Sequence, residues 1–494
     1  MTVAQISAQH LIGGEWVSGD GEGEFESHST SDGSVIARAP IAGPEIVDRA
    51  VQSARRAFAE SGWKERRAAD RAAVLLELGR RIDEAAEDLA RLVAAEMGKP
   101  LRLALDREIR GAADKCRYFA GAARTIEGEV TGASPAHILD ITVPNPIGVC
   151  ALIIPWNDPV DLAVRKLGAA LAAGCTVVVK PSEETPASTE ALMRLFDDLP
   201  GLPPGVVNMV HGPGDPTGEA LVAHPGVDKV SFTGSTATGR AIMRTASGTL
   251  KKISLECGGK APCLVFADCY LDKALDALSY GAFLYGGQSC TAATRIIVED
   301  SLYDRFLEGL SERARGLAVG DPLDEKTLIG PLVSERQVER VRDLLASIDG
   351  DGGTLHLGGS IEGLHVEPTI VTDVSPQSRV AQQEVFGPVV CVFRAADEEE
   401  AVSIANGVRF GLGASVWTAD ITRALRLTRR LEAGDVWVNT HYIRQSETPF
   451  GGWKESGIGR ELGMAGMKEY LAYKRIAFDT LPDFHLRTWW EGQG

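Results

Sequence analysis

Between residues 44 and about 128 the apolar residues return three and four positions apart. Ala73, Leu76, Leu78 and Ile82 form one such series, and Leu89, Leu92 and Val93 another. This spacing predicts antiparallel helices packed on one domain face. Ahead of them, residues 11–17 and the Gly/Glu/Ser-rich stretch 18–34 predict short strands and turns. Residues 128–146 are polar and β-leaning and end in two prolines. From Gly148 the rhythm changes. Residues 149–154 predict a buried strand, 160–173 a helix, 175–179 a strand and 187–198 a helix, followed by strands at 206–210 and 229–232. Strands alternating with helices at this spacing predict a parallel sheet with crossovers. A second run of the same kind starts at Ala261. The expected fold is therefore α/β, with two parallel-sheet domains and a small β arm, and no internal repeat or low-complexity tract interrupts it.

Length and composition agree with that reading. A chain of 494 residues exceeds what one core organises, and 44% hydrophobic with 24% charged residues is globular usage. The net charge of −17 opposes a nucleic-acid or anionic-membrane partner, because phosphate binding needs clustered Lys and Arg. Residues 1–10 carry no basic-then-apolar leader, and no run of about 18 apolar residues appears. Eight cysteines are scattered without CxxC spacing, which suits a reducing, cytoplasmic setting and disfavours a metal site.

Candidate chemistry centres on Gly286-Gly287-Gln288-Ser289-Cys290-Thr291-Ala292-Ala293-Thr294-Arg295, one thiol among small residues between an apolar run and a β-rich run. A thiol is a nucleophile as thiolate, so a reactive cysteine belongs in a partly exposed, polar turn near backbone donors. Alone, such a stretch is usually just a turn. Around it, in order, stand Pro155-Trp156-Asn157, Lys180-Pro181-Ser182-Glu183, Phe232-Thr233-Gly234-Ser235, Leu255-Glu256-Cys257-Gly258-Gly259-Lys260, Glu384-Val385-Phe386-Gly387-Pro388 and Pro449-Phe450-Gly451-Gly452.

Along nearly its whole length this set resembles the aldehyde dehydrogenase superfamily, in its hydrolytic, non-acylating branch. The resemblance implies a Rossmann-like NAD-binding domain (residues 1–127 and 147–257), a catalytic domain (258–460), and an arm and tail (128–146 and 461–494) that pair subunits into a homodimer or homotetramer. It implies that Cys290 attacks a small-molecule aldehyde, that Asn157 and the Cys290 backbone N–H hold the oxyanion, and that Glu256 activates water to hydrolyse the thioester. Lys166 and Glu461 match a proton route of the family; read blind they are a structural ion pair. Gly234 and Ser235, after Phe232, match the pyrophosphate turn, and Ser235 also reads as a helix cap. Lys180 and Glu183 match ribose-binding positions, Glu384 and Phe386 the nicotinamide end. Ile153, Pro155, Trp156, Ser182 and Gly258 fall beside them. A carboxylate at Glu183 would repel a 2′-phosphate, which favours NAD over NADP.

Departures from the family pattern bear on the substrate. Asp158, Arg165 and Arg444 stand where large apolar residues are common, while Leu162, Leu284 and Phe450 keep an apolar tunnel. Buried charges are costly unless paired or used. Arg165 and Arg444 together could grip a carboxylated semialdehyde; alternatively Asp158 neutralises one arginine and the tunnel mouth is merely wet. A CoA-acylating enzyme is the rival reading, opposed by Glu256. A silent scaffold is the other, opposed by the presence of both Cys290 and Glu256.

Overall fold

The computed structural model describes residues 5–19 and 21–482; the ends of the expected leaderless N-terminus and C-terminal tail lie outside the described residues. Two sheets dominate. The larger runs Gly457–Ile458, Lys252–Glu256, Lys229–Thr233, Val149–Ile153, Thr176–Lys180, Val207–Met209, His10–Ile12 and Glu15–Val17. Its five central strands are parallel, from Lys252–Glu256 to Val207–Met209. Val149–Ile153 and the centre of Thr176–Lys180 read as continuous apolar runs because helices cover both faces. Both edges are antiparallel additions, and of the two only the short strands over residues 11–17 are expected from the sequence. The hairpin His10–Ile12/Glu15–Val17 docks through Leu11 on Met209. At the other edge, Gly457–Ile458 returns from the far end of the chain onto Leu255 and Glu256.

The second sheet has seven strands, with Pro262–Val265 and Arg295–Glu299 at its centre and parallel pairing everywhere except at the Thr354–Leu357 edge. A third unit pairs Ile138–Pro146 with Leu471–Asp479 over nine residues, from Leu471 opposite Pro146 to Asp479 opposite Ile138. An isolated two-stranded ribbon is marginal in water. This one leaves Leu139, Tyr473 and Phe478 about half exposed.

Two local expectations need correction. In the helix Ala68–Glu84 the buried stripe is Ala72, Leu75, Leu78, Gly79 and Ile82, whereas Ala73 and Leu76 face solvent, Leu76 at 52% exposure. The stripe is set by the helix Arg110–Ala123, which packs so closely that a Cβ at Gly79 would stand 3.1 Å from Cys116 Cβ and 3.2 Å from the Ala113 carbonyl oxygen. The expected helix over 187–198 is Pro186–Arg194 instead. It stops because Asp198 turns left-handed (φ +50°) while the carbonyls of Leu195, Asp197 and Asp198 turn to accept Arg81.

Candidate active site

Four strand ends of the first sheet converge on one cleft, that of Thr176–Lys180 on its cofactor side. Val149–Ile153 runs out through Pro155 and Trp156 to Asn157, before Pro159 starts the helix Pro159–Ala173 with its fixed φ. Lys229–Thr233 ends in Gly234, and Ser235 caps the helix Thr236–Ala246 by accepting from the Thr238 N–H at 3.1 Å, as expected. Lys252–Glu256 ends on its acid. The second sheet contributes the loop between Leu284–Gly287 and Arg295–Glu299, which carries Cys290. Tyr285, Gly286 and Gly287 are all left-handed (φ +56°, +64° and +70°), so the glycines there are a conformational need. At Gly259 the need is space: a Cβ would stand 2.1 Å from the Cys290 carbonyl oxygen.

The cleft encloses a cavity of about 520 Å³ lined by Cys290, Glu256 and Asn157 together with both halves of the expected cofactor path. Cys290 is half-buried, and of the other seven cysteines only Cys269 is not buried. Burial pushes the Cys290 thiol up to about 11, with Arg444 opposing and Glu384 adding to the rise. Glu256 is buried, and neither carboxylate oxygen has a hydrogen-bond partner among the described residues. Burial, and then the neighbouring Glu461, hold its carboxyl well above the usual range, against Lys166 and Arg165. The Asn157 amide reaches the Gln288 carbonyl at 3.3 Å, which places it beside the Cys290 loop. Lys166 contacts Glu461 and donates to Thr233 Oγ1 at 2.7 Å, so the ion pair is present.

On the cofactor side, Ile153, Pro155, Trp156, Lys180, Ser182, Glu183, Phe232, Gly234, Ser235, Gly258, Glu384 and Phe386 all line the same cavity. Trp156 and Phe386 meet edge to face, centroids 5.2 Å apart. Glu384 Oε1 accepts from the Gly259 N–H at 2.8 Å and packs over Gly258, where a Cβ would lie 2.4 Å from the carboxylate. Lys180 turns its ammonium to the Pro181 and Gly212 carbonyls at 2.7 Å, and burial lowers it to about 8. Arg336 and Arg340, which the residue pattern did not single out, also line the cavity; Arg336 sits 2.8 Å from Glu184 and 3.8 Å from Glu183. Their only sequence signal is a charged helix face, which is ordinarily solvated.

The substrate end departs most from expectation. Asp158 does not neutralise an arginine: its partner is Lys99, at 2.5 Å, which also contacts Glu108 and lies 4.2 Å from the Tyr285 ring centroid. A π-helical stretch, Ala104–Ile109, places Glu108, which also accepts from the Val160 N–H at 2.9 Å. Nothing in Gly98-Lys99-Pro100 marks a buried cation, because the motif reads as a turn. Removing one member of a buried ionic group typically costs about 3–5 kcal/mol. Lys99→Met is therefore expected to lower the thermal midpoint by several degrees, followed by circular dichroism, since it strands two carboxylates. Arg165 lines the cavity but is matched by Asp161 at 3.2 Å and Glu461 at 3.4 Å, so it is not free to grip a ligand jointly with Arg444. Leu284 does not line this cavity at all. It packs with Met97, Tyr285 and Tyr442 and opens on a separate cavity of about 370 Å³, because the left-handed turn after it carries its side chain away from Cys290. Leu162 and Phe450 do line the cavity, as does Leu412, which the pattern did not flag.

Two α/β sheets thus close on the half-buried Cys290 and on a buried acid without a hydrogen-bond partner among the described residues, beside a dinucleotide-type cleft. Residues 16–476 match the model of the aldehyde dehydrogenase family. An aldehyde dehydrogenase of Aspergillus niger is 40% identical over 95% of this chain and 94% of its own length. The chloroplastic betaine aldehyde dehydrogenase of Amaranthus hypochondriacus is 38% identical over 98% of each chain. The NAD+ complex of an aldehyde dehydrogenase from Bacillus cereus superposes with a TM-score of 0.94 at 38% identity, covering 96% of this chain and 97% of that one. The chain belongs to the aldehyde dehydrogenase family, and its class of reaction is aldehyde oxidation.

Proposed function

We propose that this protein oxidises an aldehyde to its carboxylic acid with NAD, and that the aldehyde is a short, ω-carboxylated semialdehyde. The observation that carries the reaction is the meeting of Cys290 and Glu256, from opposite sheets, in a cavity that continues to the capped helix Thr236–Ala246. The cleft fits a dinucleotide. Gly234 follows a strand end at a helix N-terminus, where backbone N–H groups receive phosphate, and Glu183 stands at the rim with a partly exposed carboxylate. When bound, NAD supplies the hydride acceptor. Ser235 and Gly234 would hold the pyrophosphate, Lys180, Ser182 and Glu183 the adenosine ribose, and Glu384, Phe386, Ile153, Pro155, Trp156, Phe232 and Gly258 the remaining path.

The protein's own steps follow from the side chains. The Cys290 sulfur bonds to the aldehyde carbon, and the oxygen takes up negative charge within reach of the Asn157 amide and the Cys290 backbone N–H. After hydride loss the sulfur carries a thioester. Glu256 takes a proton from water as that water attacks the acyl carbon, and the Cys290 thiolate departs. Lys166 and Glu461, already in contact, pass that proton outward.

Arg444 supports the substrate class. It lies in the cavity wall, and its buried Nε has no partner among the described residues. Its Nη2 is 3.8 Å from Cys290 Sγ, so a carboxylate on this guanidinium leaves room for only a short chain between acid and aldehyde carbons. Asp158, matched by Lys99, is not available to hold a cationic aldehyde. The two sheet units act as cofactor and catalytic domains, and the Ile138–Pro146/Leu471–Asp479 ribbon pairs subunits through its half-exposed apolar side chains.

The test is NADH formation with plain aldehydes beside semialdehydes of equal length, with NAD or NADP, in the parent and Arg444→Ala. We expect semialdehydes to be preferred at least about tenfold, the scale of one charge-assisted contact, with that ratio collapsing in Arg444→Ala and NAD favoured throughout. A preference for plain aldehydes unchanged by Arg444→Ala would refute the substrate class, and NADP turned over as well as NAD would refute the role of Glu183.

A further inference from the structure

Cys290 has an unfavourable setting for a nucleophile. It is half-buried, it sits on no helix N-terminus, and among the described residues no histidine is hydrogen-bonded to it. His441 lies in the neighbourhood, but its Nε2 is committed to the Thr291 carbonyl at 3.0 Å, and burial lowers it to about 4, so it carries no charge near neutrality. The charged groups facing the thiol are Arg444 and Arg165 on the favourable side and Glu384 and Asp158 on the unfavourable side. Three of these four are already engaged. Arg165 is matched by Asp161 and Glu461, Asp158 by Lys99, and Glu384 by the Gly259 N–H. Of the two cations, Arg444 is the one that forms no ion pair among the described residues.

Its placement is fixed from three sides. The guanidinium lies 4.9 Å from the Tyr442 ring centroid and 4.7 Å from that of Phe450. One Nη2 hydrogen contacts Thr291 Oγ1, the hydroxyl of the residue after the nucleophile. From there Nη2 reaches Cys290 Sγ at 3.8 Å. A planar, permanently charged group held by two rings and a hydroxyl keeps its direction. An N–H aimed at sulfur from such a group favours S⁻ over S–H, because the charged form gains a charge-assisted hydrogen bond and the neutral form does not.

We propose that Arg444 is the group that stabilises the Cys290 thiolate, and so sets the pH at which the nucleophile becomes competent. This rests on Cys290 being the nucleophile, and it is independent of what else Arg444 binds. Thr291 acts as a positioning residue by anchoring Nη2. Burial and the acidic neighbours raise the thiol, so Arg444 is the principal force working in the other direction. The same contact survives into the reaction: when the thioester breaks, the departing sulfur regains its negative charge against this guanidinium. Arg444 therefore enlarges the fraction of sulfur present as thiolate before attack and stabilises the sulfur that leaves at acyl release.

The experiment is alkylation of the whole chain by iodoacetamide across the pH range, without cofactor or aldehyde. Modification is read on the peptide containing Cys290, and Cys290→Ala gives the background. Iodoacetamide is neutral, so its rate follows the thiolate fraction and not anion attraction. Arg444→Gln is expected to move the midpoint of the rate upward by about one pH unit or more, which slows alkylation about tenfold on the acidic side. Arg444→Lys is expected to retain most of the parent's midpoint. If Arg444→Gln does not fold, Arg444→Met, whose chain keeps the packing on Phe450 and Tyr442, takes its place with the same expected shift. An unchanged midpoint in the neutral variant overturns the proposal. Running the anionic iodoacetate in parallel separates this role from substrate holding. A neutral variant that loses only the parent's preference for iodoacetate, with its iodoacetamide midpoint intact, overturns thiolate stabilisation and leaves carboxylate binding standing. Failure of both alkylation reagents to mark Cys290 in the parent, while NADH is still formed, would instead remove Cys290 from the nucleophile's role.

Discussion

Cys290→Ala is expected to abolish NADH formation, lowering the rate by at least about 10⁴-fold, the scale seen when a covalent nucleophile is removed. No second thiol can substitute. Cys257 also borders the cavity, but it is buried, its sulfur packs against Gly239 and burial pushes its thiol up to about 12; Cys269 lies outside the cavity. Alanine removes only the sulfur from a loop whose path is set by Gly259, Gly286 and Gly287, so the fold and the dinucleotide cleft should persist. The check has two parts. NADH absorbance should stay at the level of the protein-free mixture, while quenching of tryptophan fluorescence by NAD, with Trp156 in the cavity wall, should match the parent. Turnover within about tenfold of the parent would end the covalent mechanism. Loss of NAD binding together with turnover would mean that the substitution had damaged the cleft.

Glu256→Gln has the second largest expected effect, about 10²–10⁴-fold in steady-state rate, the usual contribution of a general base. The isosteric amide keeps the shape but cannot take a proton from water. Acylation of Cys290 precedes that step, so a first-turnover burst of NADH should survive at a substantial fraction of the enzyme present, followed by near arrest. Rapid mixing distinguishes this from a loss of nucleophile, which gives neither burst nor turnover. The pH dependence carries a sign. The base works ionised, and burial together with Glu461 hold its pKa above the ordinary carboxylate range. Acyl hydrolysis in the parent should therefore fall as pH drops through that raised value, and this limb should be missing from the residual rate of Glu256→Gln. A normal steady-state rate in the variant would take Glu256 out of the base role.

The motifs that place Glu256, Asn157 and several cofactor-side residues are legible as sequence because they sit where a strand ends. There, backbone geometry leaves a local mark: Pro159 after Asn157, Gly234 and Ser235 after Thr233, Gly258-Gly259 after Glu256. Elements behave the same way. The parallel strands Val149–Ile153 and Thr176–Lys180 carry unbroken apolar runs because both faces are covered, so the pattern finds them within a residue. The edge strands are harder: residues 11–17 read as short strands but not as part of this sheet, and Gly457–Ile458 is not marked at all. His10–Ile12 and Gly457–Ile458 are short, and they earn their place by pairing with residues hundreds of positions away.

Charge is where the two levels part. The sequence by itself determined that Asp158, Arg165 and Arg444 are charged at positions of an apolar tunnel, because residue identity and motif register are local facts. It did not determine what each charge faces. Lys99 reaches Asp158 across 59 residues, Glu461 reaches Arg165 across 296, and Arg444 reaches Thr291 across 153. A buried charge is balanced by whatever the packed chain brings within a few ångströms, and sequence separation carries no information about that. Only the tertiary structure decided that Asp158 and Arg165 are neutralised, that Leu284 turns into another cavity, and that one unpaired guanidinium is left beside the sulfur.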